Sequence, residues 1–358
     1  MSHRKLKLIL SAVIAVVSPC GVLTAQQSNS KNPVVIESDG TVESPARSVP
    51  LSTLLSPEAK AYMTEHLKDM QDPELLQADQ GVPRFMKHYL ERDKEQFALN
   101  REDESIAGVH VYVYVPKAGI APRNQNRVLI NLHGGGFSGC WPACGELESM
   151  PISARMRIKV VSVDYREGPE YKFPAASEDV AKVYAELLKT YKPKNIGIYG
   201  CSAGGMLTAM SIAWFQTHNL PAPGADGIFC ASAGTFGGDA AYIAFPLGEA
   251  RMPARGGVNQ RQLGYFSNAK MSDPLVQPSV SPAVLAKFPP TLLITATRDF
   301  ALSGAINTDI LLTQAGVDSE LHVWDGLFHG FFYNADVPES RQAFAIMEKF
   351  FDRHLGKQ

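Results

Sequence analysis

Residues 195–208 read NIGIYGCSAGGMLT, an apolar strand-like run that passes through a turn of small residues into a helical stretch. Cys201 and Ser202 stand side by side in that turn, and either side chain is a chemically reasonable nucleophile. The pattern Gly200-Cys201-Ser202-Ala203-Gly204 fits G-x-S-x-G. Alone it is a weak signal, but the strand before it and the helix after it supply the setting of a nucleophile elbow. Strand and helix nearly touch at such an elbow, so the residues two before and two after the nucleophile must be small. Around Ser202 these are Gly200 and Gly204, whereas around Cys201 they would be Tyr199 and Ala203. Ser202 is the expected nucleophile, and Cys201 the expected buried filler.

Outward from the elbow, short β-branched runs alternate with longer helical ones. The runs are HVYVYVP, RVLINL, KVVSVDY, NIGIYG, DGIFCAS, TLLITAT and ELHVWDG, with helices expected from near Ala175, Ala203, Gly304 and Glu339. This rhythm predicts an α/β fold with a mostly parallel sheet covered on both faces. Two charge-rich helices, roughly Pro57 to Gln71 and Pro83 to Gln96, are expected ahead of every strand, each opening on a proline. More than fifty residues without a strand-like run separate DGIFCASAG from PPTLLITAT. An insertion of that length, at about 235–285, reads as part of a cap. The expected organisation is a signal peptide at 1–25, a flexible leader at 26–50, N-terminal cap helices at 51–100 and a catalytic domain at 101–358.

With 34 Lys+Arg against 36 Asp+Glu and no basic run beyond the N-terminus, the chain is not expected to bind nucleic acid. Its 45% apolar content supports a substantial core. Arg4, Lys5 and Lys7 precede the apolar run Leu8 to Val17, and small residues follow near Ala25. This layout predicts a cleaved signal peptide and a secreted or periplasmic protein. The apolar run falls well short of the roughly 20 residues that span a bilayer, so no stable membrane span is expected after cleavage. Pro19 disfavours Cys20 as a lipidation site. In an oxidising compartment Cys140 and Cys144, on what reads as a loop, could close a small disulfide or remain free thiols; spacing does not choose. Cys230 reads as a small buried hydrophobe.

A serine hydroxyl needs a base, an orienting acid and an oxyanion hole. His329, in DGLFHGFFY after the last strand-like run, is placed to reach the strand ends. His66, His88, His110, His218, His322 and His354 fall on helices, within strands or near the tail. Asp299, ending the run TLLITAT, gives the order Ser, Asp, His; Asp273 lies before its strand and Asp325 is too near His329 in sequence to face its ring. The stretch INLHGGGFSG admits two readings. Gly134-x-Gly136-x-x-Gly139, with Asp164 ending the next strand, is a formal dinucleotide-binding fingerprint. Such a loop should run straight into a helix, yet CWPACGELES intervenes, and another strand-like run precedes the loop's own strand. As a His-Gly-Gly-Gly loop, it instead offers backbone NH groups to a developing alkoxide.

These marks resemble the hormone-sensitive-lipase-like family of α/β-hydrolase esterases from about Ser52 onward. They are HGGGF at His133 to Phe137, VDYREGPEYKFPAASEDV at Val163 to Val180, GCSAGG at Gly200 to Gly205, RDFALSGA around Asp299 and HGF at His329. The resemblance implies Ser202 as nucleophile, His329 as base and Asp299 as its partner. It also implies an oxyanion hole of the Gly135, Gly136 and Ala203 NH groups, and a cap over an acyl and alcohol pocket. Cys201 replaces a common Asp, Glu167-Gly168 replaces Leu-Ala, and the acidic residues usual behind Asp299 are missing. The implied function is a serine carboxylesterase for short- to medium-chain esters, needing neither metal nor cofactor. A non-catalytic binder of small molecules on the same fold is the alternative from another class, and amidase or lactonase activity shares the machinery. Homodimer formation is left open.

Overall fold

The computed structural model describes residues 34–43, 48–79, 82–252 and 264–356. The expected signal peptide, Cys20 and part of the expected insertion lie outside them. The chain divides into two units, Met1–Val49 and Pro50–Gln358. In the first, β1 (Val35–Ile36) pairs antiparallel with β2 (Val42–Glu43). No helix among the described residues is long and apolar enough to cross a membrane.

The second unit opens with α1 (Pro57–Asp69), where the Ser56 hydroxyl accepts from the Ala59 NH and Pro57 occupies the first turn. The ribbon β3 (Ala78–Asp79) and β4 (Val82–Pro83) leads to α2 (Lys87–Gln96). Helix α2 starts four residues after Pro83, which belongs to β4, so proline does not open it. The two ribbons also place strands ahead of the helices expected to come first.

The main sheet has eight strands: β5 (Leu99–Ile106), β6 (Val109–Pro116), β7 (Val128–Leu132), β8 (Lys159–Val163), β9 (Ile196–Cys201), β10 (Ala225–Phe229), β11 (Thr291–Ala296) and β12 (Ser319–Trp324). Their spatial order is β12-β11-β10-β9-β7-β8-β6-β5. Strands β7 to β12 run parallel, while β6 pairs antiparallel with both β5 and β8. The expected α/β fold with a mostly parallel sheet is borne out. Strands β7, β9, β10 and β11 are buried throughout, which is why they read as continuous apolar runs rather than alternating ones.

Each face of the sheet carries its own core. On one, Val180 and Val183 of α4 (Ala175–Leu187), Leu207 and Met210 of α5 (Ala203–Thr217) and Leu312 of α8 (Leu302–Gln314) are buried. On the other, Leu147 and Met150 of α3 (Ala143–Met156) meet Phe344 and Met347 of α9 (Pro338–His354). Burying each such side chain contributes about 1.5–3 kcal/mol. Helix α3 corrects the loop reading of GCWPACG in part, since it begins at Ala143, places Cys144 but not Cys140 on a helix, and runs through Pro151. Cys140 and Cys144 are joined in a disulfide that closes its entry. In the expected cap insertion, α6 (Ala240–Glu249) and the short α7 (Pro282–Leu285) are helical.

Candidate active site

At the C-terminal end of β9 the chain turns through Ser202 at φ 56°, ψ −120° and enters α5 at Ala203. A non-glycine residue with positive φ costs roughly 1–3 kcal/mol and persists only where its surroundings impose it. Here they do. A Cβ on Gly200 would lie 2.1 Å from the Leu132 carbonyl oxygen, and one on Gly204 only 1.7 Å from the same atom. Both glycines are fixed by backbone contact, as the elbow reading requires. Cys201 is buried, as expected. The Ala203 NH sits in the first turn of α5, where helical NH groups have no acceptor within the helix and the helix dipole is positive.

His329 and Asp299 come together from loops that follow β12 and β11. His329 Nδ1 bonds Asp299 Oδ1 at 2.8 Å, and the Asp299 carboxylate also accepts from the Ala301 NH and the Thr295 hydroxyl, each at 2.8 Å. Burial pushes the Asp299 carboxyl up, but the His329 imidazole and these two donors outweigh it and hold the group below 3.8. For His329 burial acts downward and is outweighed by the charge and hydrogen bond of Asp299, assisted by Glu249 and Glu148, so its pKa lies above 6.5. His329 Nε2 is buried with no hydrogen-bond partner among the described residues, and the ring stacks on Phe300 at 4.2 Å. It does not bond Ser202 here, although both residues line one cavity of about 560 Å³.

The rival residues are engaged elsewhere. Asp273 caps the Leu275 NH, Asp325 accepts from Thr297 and Ser52, and Asp164 bonds His110 at 2.8 Å. His66 lines the cavity too, but its Nε2 faces the Gly248 carbonyl and burial depresses its pKa to about 3. Cys230, Asp299 and His329 bring ligand-type atoms within 4.8 Å of one another. These atoms are already spent on the Asp299–His329 bond and on the Gly330 NH, which donates to Cys230 Sγ at 3.3 Å.

The glycine loop after β7 turns at Gly135 (φ 120°) and Gly136 (φ 66°) and lines the same cavity. A Cβ at Gly135 would fall 1.9 Å from the Gly139 carbonyl oxygen, so the loop closes on itself. His133 is fully buried and donates from Nδ1 to the Gly134 carbonyl at 2.7 Å, with burial lowering its pKa to about 4. It holds the loop as a neutral ring. The Gly134 NH is taken by a buried carboxylate, Glu148 of α3, at 2.9 Å. An anion there opposes the phosphate that a dinucleotide fingerprint would bind. Glu148 was not among the expected site residues.

Residues 129–333 match the family described as alpha/beta hydrolase fold. The chain belongs to that family. This α/β hydrolase is 24% identical over 244 residues to an acetyl-hydrolase of Streptomyces hygroscopicus, covering 66% of this chain and 78% of the relative. It superposes on the crystal structure of esterase E25 with a TM-score of 0.74 at 27% identity, covering 87% of this chain and 98% of the other. A second solved structure, an esterase of the bacterial hormone-sensitive lipase family, matches at a TM-score of 0.70 and 23% identity over 84% of this chain and 99% of the other. The α/β hydrolase membership that the sequence resemblance implied is borne out. The cavity is also lined by Tyr62 and His66 from α1, Tyr89 from α2 and Glu249 from α6.

Proposed function

We propose that this protein is a serine carboxylesterase that hydrolyses short- to medium-chain esters through an acyl-enzyme. The observation that carries the reading is the buried His329 Nε2, unpartnered among the described residues, on a ring that lines the same cavity as Ser202 while Asp299 holds Nδ1. Ser202 Oγ attacks the ester carbonyl carbon as His329 Nε2 takes its proton. The NH groups of Gly135, Gly136 and Ala203 receive the oxyanion. Collapse expels the alcohol, which takes that proton from His329, and a water activated by the same imidazole releases the acid. Asp299 keeps Nδ1 protonated and stabilises the imidazolium.

A short acyl group suits the esterase and acetyl-hydrolase names of the relatives and a cavity of about 560 Å³. The Cys140–Cys144 disulfide supports action outside the cytoplasm, in keeping with the expected secreted or periplasmic location. Ser202→Ala is expected to cut turnover of a short-chain aryl ester by roughly 10³-fold or more with the thermal transition unchanged. Full activity in the folded variant would remove Ser202 from the reaction.

A further inference from the structure

We propose that Glu148 is a positioning residue that locks the oxyanion loop to the nucleophile elbow, and that it does so as a carboxylate. The inference rests on the serine-hydrolase reading above. One buried side chain accepts four hydrogen bonds from three separate segments of the chain. Oε1 accepts from the Gly134 NH at 2.9 Å and the Tyr333 hydroxyl at 2.8 Å. Oε2 accepts from Asn131 Nδ2 at 2.8 Å and the Cys201 NH at 3.2 Å. Gly134 immediately precedes the proposed oxyanion donors, and Cys201 immediately precedes Ser202. The segment holding Tyr333 also carries His329, four residues earlier. Three parts of the proposed machinery therefore share one anchor, although their sequence positions lie far apart.

The anchor is itself held. Tyr199 donates its hydroxyl to the Glu148 carbonyl oxygen at 3.0 Å, fixing that turn of α3. Ser162 donates to Asn131 Oδ1 at 2.7 Å, which orients the Asn131 amide so that its NH₂ faces Glu148. Hydrogen bonds to an ionised acceptor are roughly twice as strong as neutral ones. Protonating Glu148 would weaken its hold on both backbone NH groups at once. Burial pushes its pKa up to about 7, against the opposing pull of its four donors. The titratable groups facing it are the Tyr333 hydroxyl, the Cys201 thiol, His329, Tyr165 and Tyr199. Burial drives the tyrosines and the thiol above their ordinary values, so His329 is the group that titrates beside it.

The test is Glu148→Gln in the full chain, with kcat and KM for a short-chain aryl ester measured from pH 5 to 9. The amide keeps the shape but turns an acceptor into a donor opposite fixed donors. The expected result is a loss of about 100-fold in kcat, comparable to removal of an oxyanion donor, with KM changed less than about twofold. Wild type should show an acid limb that requires two deprotonations, and the variant a limb that requires one. Wild-type kcat in the variant, or an unchanged two-proton limb, overturns the proposal. If Glu148→Gln loses its cooperative thermal transition, Tyr333→Phe decides instead. Removing one donor should move the acid limb to higher pH, and an unmoved limb overturns the proposal. A fluorophosphonate run alongside separates the two readings. No adduct on wild type defeats the serine mechanism, whereas a normal wild-type adduct formed equally fast by the Gln variant defeats only the role of Glu148.

Discussion

Ser202 could be chosen over its neighbour from the sequence because the choice is steric and local. Glycines at 200 and 204 admit the elbow around Ser202, and each would drive a Cβ into the Leu132 carbonyl if replaced. The residues proposed to work with it needed more. Asp299 and His329 were reachable through their order along the chain, since the strand ends of an α/β sheet gather at one edge. Glu148 gave no comparable signal, because its partners are two backbone NH groups, an amide and a phenol from distant segments. Asp299→Asn should lower kcat by about 10³–10⁴-fold, through loss of the correct His329 tautomer. The base must be neutral, and Asp299 raises the His329 pKa, so rate is lost as pH falls through that raised value. In Asp299→Asn the residual acid limb should move to lower pH, which a pH–rate profile on the variant checks. An unmoved limb would mean that Asp299 does not set the charge of His329.

Elements whose burial leaves an alternating, striped or continuous apolar pattern were legible; β5 and α3 leave none and were missed. Strand β5 has only its two end residues partly buried and reads LNREDESI, so neither alternation nor an apolar run marks this edge strand. Helix α3 is buried on nearly all sides, so no apolar stripe marks it, and Gly145, Ser149 and Pro151 interrupt its good helix formers. At the elbow, Gly204→Ala should destabilise by about 3 kcal/mol, the upper range of overpacking costs, because its Cβ meets backbone that cannot turn aside. A fall in the denaturant midpoint at constant slope would show it. On β10, Asp226 is completely buried, and burial drives its pKa well above 3.8. With the folded pKa raised, this group favours folding at pH below about 3.8 and loses that advantage as pH rises. Asp226→Asn should therefore raise Tm at pH 7 relative to wild type, with the gain shrinking toward pH 4; calorimetry at the two pH values checks it.

For the molecule as a whole, the α/β architecture followed from the rhythm of strand-like and helical runs, because buried parallel strands separated by crossover helices leave a strong periodic trace. The disulfide did not follow, since pairing Cys140 with Cys144 depends on how the chain turns into α3. Nor did the particular side chains that wall the cavity, among them Tyr62 of α1, Tyr89 of α2 and Glu249 of α6, although these segments were expected to cover a pocket. That enclosure predicts a limit on substrate length. Across aryl esters of increasing acyl chain, kcat/KM should peak among short to medium chains and decline for long ones; a rate that keeps rising with length would refute the size limit. The central claim, that Ser202 is an activated nucleophile, is tested most directly by treating the full chain with a fluorophosphonate and mapping the adduct by mass spectrometry. The account predicts one stoichiometric adduct on Ser202, lost in Ser202→Ala. An unlabelled protein, or an adduct on another residue, would contradict it.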